Sequence, residues 1–378
     1  MNNMTWIMSS ALPALSLEEV MRETVELGYQ GIEVCVFRLD GTRKDHVAAH
    51  LDAEGFSPES ARRIIHDFNQ SGLKLSLGFY DNLIGGPEGE RLKNQNHLLK
   101  VIRMAALLGG DANEVKVGTF VGYNHELGGQ DGGFQKNLEL YGKVFAPILR
   151  YAEDSGVTLL YENCPMEGWR PATATGTYNN LPATLAARKL MYALIPSRAH
   201  GETYDPSHDV WQHTDPVEVI KVTDMKRLQR IHVKSTRNLS TAARVHWGGL
   251  YPMQAVDLEP AKKAGVPTCA HEWDRHHYEP MIPGFGGSDS MDWRQFIECL
   301  KARGYRGPYV VENEAANSKG TGDLGAIRQG FKAGLLFLAP MIWPLSRGAG
   351  YRFDPSAHTP LKDFPGRDVP LLTMEQLA

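Results

Sequence analysis

Apolar and polar positions alternate between two regimes along this chain. Short β-branched or aromatic runs ending in polar residues are separated by longer segments whose apolar positions recur every three to four residues. The first pattern predicts strands and the second predicts helices. Trp6 to Ser9 reads as the first strand, and Ser16-Leu17-Glu18-Glu19 opens a helix with Ser16 as N-cap and Gly28 as stop. Gly31 to Phe37 (GIEVCVF) predicts the second strand, Pro58 to Ser71 a helix, and Leu73 to Tyr80 (LKLSLGFY) the third strand, with Gly72 as helix stop. The alternation continues with helix Glu90 to Leu108, strand Ala112 to Val117, helix Phe134 to Asp154 and strand Val157 to Glu162 (VTLLYE). Helix Leu181 to Leu194, strand Glu202 to Tyr204, helix Pro216 to Met225 and strand Arg230 to Lys234 (RIHVK) follow. Helix Trp293 to Arg303, strand Tyr309 to Glu312 and helix Leu324 to Leu338 complete the series.

Eight strands each followed by a helix is the arithmetic of an α/β protein of the (β/α)8 TIM-barrel type, and no G-x-G-x-x-G turn follows the first strand to favour an open doubly wound sheet. Two segments fall outside the repeat. Residues 237–288 lie between the seventh strand and its helix and read as an inserted lid over a site. The tail after Met341, with Pro344, Pro355, Pro360, Pro365 and Pro370, reads as an extended C-terminal arm that wraps the barrel or meets another chain. The expected organisation is a barrel domain over 1–340 with lid 237–288, followed by an arm over 341–378.

Composition narrows the function classes. The 378 residues carry 40 Lys+Arg against 44 Asp+Glu, a net charge of -4, which argues against a nucleic-acid partner. The cysteines Cys35, Cys164, Cys269 and Cys299 are widely spaced and form no C-x-x-C pair, so reduced thiols are expected. The N-terminus lacks a basic and apolar leader pattern. The greasiest stretch, Ala333 to Leu345, is interrupted by Gly334, Pro340 and Pro344. A cytoplasmic protein without membrane attachment is the expectation.

The active site of such a barrel lies at the C-terminal ends of its strands. Glu162, Asp205, His232 and Glu312 occupy those ends and offer three carboxylates and one imidazole, an oxygen-rich set suited to Mn, Mg or Co, with Zn also compatible. Any one of them alone is equally well explained as a solvated or salt-bridged strand end; four at matched positions point to a divalent metal site, Mn foremost. His208 follows a strand end and a proline, where it would contact substrate or orient a ligand, with a surface histidine at a helix start as the alternative. Lys234 shares a strand face with His232 and would meet a substrate oxygen or pair with a carboxylate. Trp169 and Trp211 offer a sugar-stacking surface or ordinary loop packing. His125, in the loop after the fourth strand, is the expected acid or base, and the lid adds His246, His271, His276 and His277, the last expected to contact substrate. His271-Glu272-Trp273-Asp274-Arg275-His276 misses the H-E-x-x-H spacing by one residue, and Gly284-Phe285-Gly286-Gly287 lacks the lysine and serine of a phosphate loop.

The order E at the fifth strand, D-x-x-H at the sixth, H-x-K at the seventh and E at the eighth resembles the xylose isomerase-like barrels. Within these the likeness is to the sugar phosphate isomerase/epimerase superfamily, which includes ketose 3-epimerases, hydroxypyruvate isomerase and inosose dehydratase. GYQGIEV, PGFGGSDSMDW and RGYRGPYVVENE support it. The resemblance spans residues 4 to 340 and implies a metal held by Glu162, Asp205, His232 and Glu312, His208 near substrate, and proton exchange by Glu162 and Glu312. The pattern departs from ketose 3-epimerases at Gly168 and Asn238, where a glutamate and an arginine are usual and Glu167 and Arg237 stand one residue short. Ser235 replaces the acid of H-x-K-D, and the insert is large. An enlarged barrel of this kind is similar to the catalytic subunits of C-glycoside deglycosidases, which implies a lyase acting on 3-oxo-glycosides with a small β-rich second subunit. The implied reaction begins with proton abstraction beside the carbonyl of a keto-sugar or oxidised sugar. Isomerisation or epimerisation is the first expectation and β-elimination the alternative. Oligomeric assembly is expected; a non-catalytic sugar-binding barrel and a metal-dependent DNA-repair endonuclease are the remaining readings.

Overall fold

Local signals place the helix ends as the sequence predicts. Ser16 Oγ accepts the Glu19 N–H while the Glu19 carboxylate accepts the Ser16 N–H, and Gly28 ends the helix Leu17–Leu27 at φ 88°. Ser57 caps Pro58–Ser71, and Gly72 stops it at φ 70°. The computed structural model describes residues 4–43, 47–109, 115–166, 179–238, 263–265, 278–284, 291–315, 323–343 and 369–377.

The strands in chain order are β1 Thr5–Met8, β2 Gly31–Cys35, β3 Lys74–Phe79, β4 Lys116–Thr119, β5 Thr158–Glu162, β6 His200–Tyr204, β7 Leu228–Val233, β8 Ser235–Asn238, β9 Tyr278–Met281 and β10 Tyr309–Val311. β1 to β7 and β10 close a parallel barrel, with β10 between β7 and β1. Helices Glu88–Leu108, Gly133–Asp154, Leu185–Leu194, Pro216–Val222, Trp293–Ala302 and Leu324–Ile342 continue the outer ring. The expected (β/α)8 architecture is therefore present. β8 and β9 form a separate antiparallel hairpin directly after β7, pairing Ser235 with Met281 and Asn238 with Tyr278. Residues 239–262, within the expected lid, lie outside the described set.

Several boundaries differ from expectation by a few residues, and two of them have an evident physical cause. β4 runs Lys116–Thr119 rather than ending at Val117, because Gly118 is a strand residue that the interior requires. A Cβ there would collide with Tyr80, Arg230 and Glu33. The helix expected to reach Met225 ends at Val222, where the Thr223 hydroxyl donates to Val219 O at 2.8 Å and the chain turns into β7. At the far end of the chain, residues 369–377 return to the barrel's own outer helices. Arg103 donates to Val369 O, Tyr151 to Pro370 O, and Met374 N–H to Asn96 Oδ1.

Candidate active site

Strand ends and the turns behind them gather the site at one mouth of the barrel. Glu162 closes β5, and the next residue, Asn163, locks it to β6: Asn163 Oδ1 accepts the Asp205 N–H at 2.8 Å and its Nδ2 donates to Asp205 O at 2.9 Å. The register of β6 against β7 shifts at Glu202/Thr203, which re-aims the end of β6. Asp205 then serves as N-cap of the short helix Pro206–Trp211, Oδ1 accepting from Ser207 N–H at 2.8 Å, so that Oδ2 turns into the mouth. Tyr204 Oη donates to Asp209 Oδ2 at 2.6 Å and pins that helix.

The four expected ligands fall into two overlapping groupings joined at Glu162. His232 Nδ1 lies 3.2 Å from Glu162 Oε1 and 3.5 Å from Glu312 Oε2. His208 Nε2 lies 3.2 Å from Asp205 Oδ2 and 3.7 Å from Glu162 Oε1. Lys234 Nζ sits between the two sides, at 3.0 Å from Asp205 Oδ2, 2.9 Å from Glu312 Oε2 and 3.0 Å from Glu314 Oε2. All of these side chains are buried. Two ligand groupings, Glu162–His232–Glu312 and Glu162–Asp205–His208, each bring their donor atoms within 4.8 Å of one another and share Glu162.

Electrostatics mark the cluster as short of positive charge. Burial pushes the Glu312 carboxyl up, and the neighbouring Glu314 and Glu162 add to it, to about 7 against the pull of Lys234 and His232. Burial would also lower the His232 imidazole, but Glu162 and Glu33 outweigh it and raise it to about 10. Burial opposes ionisation of Glu162 as well, yet His232, His208 and Lys234 hold its carboxyl well below the ordinary range. Asp205 Oδ2 and both ring nitrogens of His208 are buried without an aligned hydrogen bond. Crowded buried carboxylates and an imidazole fit a hard divalent cation. Glu162, Asp205, His232 and Glu312 would hold it, with His208 beside them.

Other expected residues fall elsewhere. His125 starts a short helix, with Nε2 on Asn179 Oδ1 at 2.9 Å and its ring edge-on to Tyr123; no contact with the carboxylate cluster is formed among the described residues. Trp211 is buried at the end of its helix, in a packing position. Trp169, His277 and the remaining lid histidines lie outside the described residues. Sequence reasoning missed Glu33, Tyr80, Arg230 and Glu314. Arg230 was findable, since it shares the inward face of β7 with His232 and Lys234 at intervals of two. Glu314 stands two residues beyond Glu312 and was open to the same argument.

The chain matches the family described as "Xylose isomerase-like TIM barrel" over residues 21–340, and it belongs to that family. No curated protein matches its sequence. Among solved structures, a xylose isomerase domain protein from Alicyclobacillus acidocaldarius superposes with TM-score 0.56 at 17% identity, covering 88% of this chain and 96% of that one. A D-psicose 3-epimerase from Clostridium cellulolyticum H10, solved with D-tagatose, gives 0.56 at 13% identity over 90% of this chain and 99% of the other. A probable 3-DHS dehydratase from Bacillus anthracis gives 0.54 at 15% identity over 89% and 98%. At these identities the likeness is one of fold. Among the described residues, no helix is long and apolar enough to cross a membrane.

Proposed function

We propose that this chain is a divalent-metal-dependent sugar isomerase or epimerase that removes a proton beside the carbonyl of a keto-sugar or oxidised sugar derivative. The observation that carries this reading is the convergence of Glu162, Asp205, His232 and Glu312 from the ends of β5, β6, β7 and β10 on two overlapping buried ligand groupings that share Glu162. A bound divalent cation, Mn2+ foremost, would supply Lewis-acid stabilisation of the charge that develops on the substrate oxygen. The protein supplies the rest. Glu162 takes the C–H proton as a carboxylate, and Glu312, as the carboxylic acid, delivers its own proton to the same or a neighbouring carbon. Lys234 and His208, both buried at the mouth, meet the substrate's hydroxyl oxygens.

The β8–β9 hairpin favours a second outcome of the same first step. It leads directly from Lys234 into the long insertion and supports a substrate larger than a free monosaccharide, from which a β-substituent could leave by elimination. Incubating Mn2+-loaded protein in deuterated solvent with a panel of keto-sugars and 3-oxo-glycosides separates these outcomes by proton NMR. Deuterium at the carbon beside the carbonyl with a new epimer or isomer is expected. Deuterium with release of the β-group assigns a lyase, and no exchange anywhere on the panel refutes enolisation.

A further inference from the structure

Beneath the candidate ligands, the barrel interior carries a second polar layer where branched apolar side chains are the rule. Glu33 on β2 is fully buried and receives three donors: Tyr80 Oη at 2.5 Å, Arg230 Nη1 at 2.5 Å and His232 Nε2 at 2.8 Å. Arg230 Nη2 in turn donates to Ser76 Oγ at 2.5 Å. The neighbouring strands make room for this layer with glycines. A Cβ on Gly118 would collide with Tyr80, Arg230 and Glu33, and one on Gly78 would press on Glu33.

The layer acts on one ring. With Nε2 held by Glu33 Oε2, the opposite nitrogen of His232 faces Glu162 Oε1 and Glu312 Oε2. The two imidazole nitrogens are coupled: a carboxylate that accepts Nε2–H leaves the Nδ1 lone pair free for a cation and fixes the ring plane. Tyr80 and Arg230 hold the Glu33 carboxylate by its other oxygen, Oε1, so it cannot rotate away from the ring or rise to join the ligands.

We infer that Glu33 is a positioning residue for the metal centre: it sets the orientation and tautomer in which His232 presents Nδ1 to the cation, and Arg230, Tyr80 and Ser76 fix Glu33 in that task. The inference rests on the metal-site reading given above. Its test is isothermal titration of wild type, Glu33→Gln and Tyr80→Phe with Mn2+, together with 15N NMR of the histidine rings in the Zn2+-loaded wild type. Glu33→Gln presents an amide that can donate to Nε2 and invert the tautomer, so its Mn2+ affinity is expected to fall about 10–100-fold with unchanged far-UV circular dichroism. Tyr80→Phe removes one donor to Glu33 but leaves the bond to His232, and a smaller loss is expected. The Zn2+-loaded wild type is expected to show a slowly exchanging Nε2–H and a metal-shifted Nδ1 on His232. Affinity of Glu33→Gln within about twofold of wild type overturns the inference, as does zinc on Nε2 of His232. If Glu33→Gln does not fold, the wild-type spectrum decides alone. Wild type that binds no Mn2+ strikes the metal-site reading itself, an outcome separate from equal binding by both proteins.

Discussion

Replacing Gly118 with alanine puts a methyl group where Tyr80, Arg230 and Glu33 already meet. Overpacking of this kind costs about 1–3 kcal/mol, and urea unfolding of Gly118→Ala is expected to show it together with reduced metal occupancy. Stability and occupancy equal to wild type would mean that the polar layer is looser than its geometry. The residue scale is also where the sequence was read unevenly. Glu162, Asp205, His232 and Glu312 were legible as candidates because four polar residues at matched strand ends are hard to explain together as packing, although each alone is not. Glu33 escaped because a charge inside GIEVC looks like an ordinary interruption until Arg230 and His232 arrive from β7 to neutralise it. That pairing joins residues 197 and 199 positions apart, which no local pattern encodes.

At the scale of elements, the pairing that matters beyond the mouth lies behind β6. Arg188 and Glu202 form a buried ion pair at 3.3 Å, and Tyr192 Oη donates to Glu202 at 2.9 Å, tying helix Leu185–Leu194 to the strand that delivers Asp205. Arg188→Met leaves Glu202 buried without its cation, a loss of about 3–5 kcal/mol by the usual cost of an orphaned charge, measurable as a lower urea midpoint. An unchanged midpoint would show that Tyr192 suffices. The C-terminal element makes a different claim. Val369, Leu372, Met374 and Leu377 pack on the core, and removal of residues 369–377 is expected to destabilise the barrel by about 2 kcal/mol without changing its mass by light scattering. A smaller particle after truncation would place this segment between chains instead. The barrel strands and the long outer helices were readable from periodicity and caps. The hairpin β8–β9 was not, because its two strands are separated by a long insertion and only their pairing reveals them.

For the whole molecule, acid sensitivity follows from histidines buried as neutral rings. Burial lowers His200 to about 4 from 6.5 even though its Nε2 meets Ile195 O at 2.8 Å, and His50 and His97 are lowered by the same cause. The folded state therefore binds these protons less readily than the unfolded chain. Their stabilising contribution is complete above pH 6.5 and is lost as pH falls toward 4, with His200 accounting for at most about 3 kcal/mol. Urea midpoints across this range are expected to decline, and less steeply in His200→Gln; parallel curves would contradict the assignment. The eight-unit barrel was legible as a whole because each βα repeat carries its own signals, while the substrate was not, since strand-end carboxylates do not by themselves encode which sugar they meet. The central claim is that four strand ends hold a divalent cation. Elemental analysis of purified protein, wild type beside Glu162→Gln and His232→Ala after dialysis against metal-free buffer, tests it most directly. About one Mn, Mg, Co or Zn per chain, lost in both variants, is the expected result; wild type that retains no metal even after resupply would contradict the account.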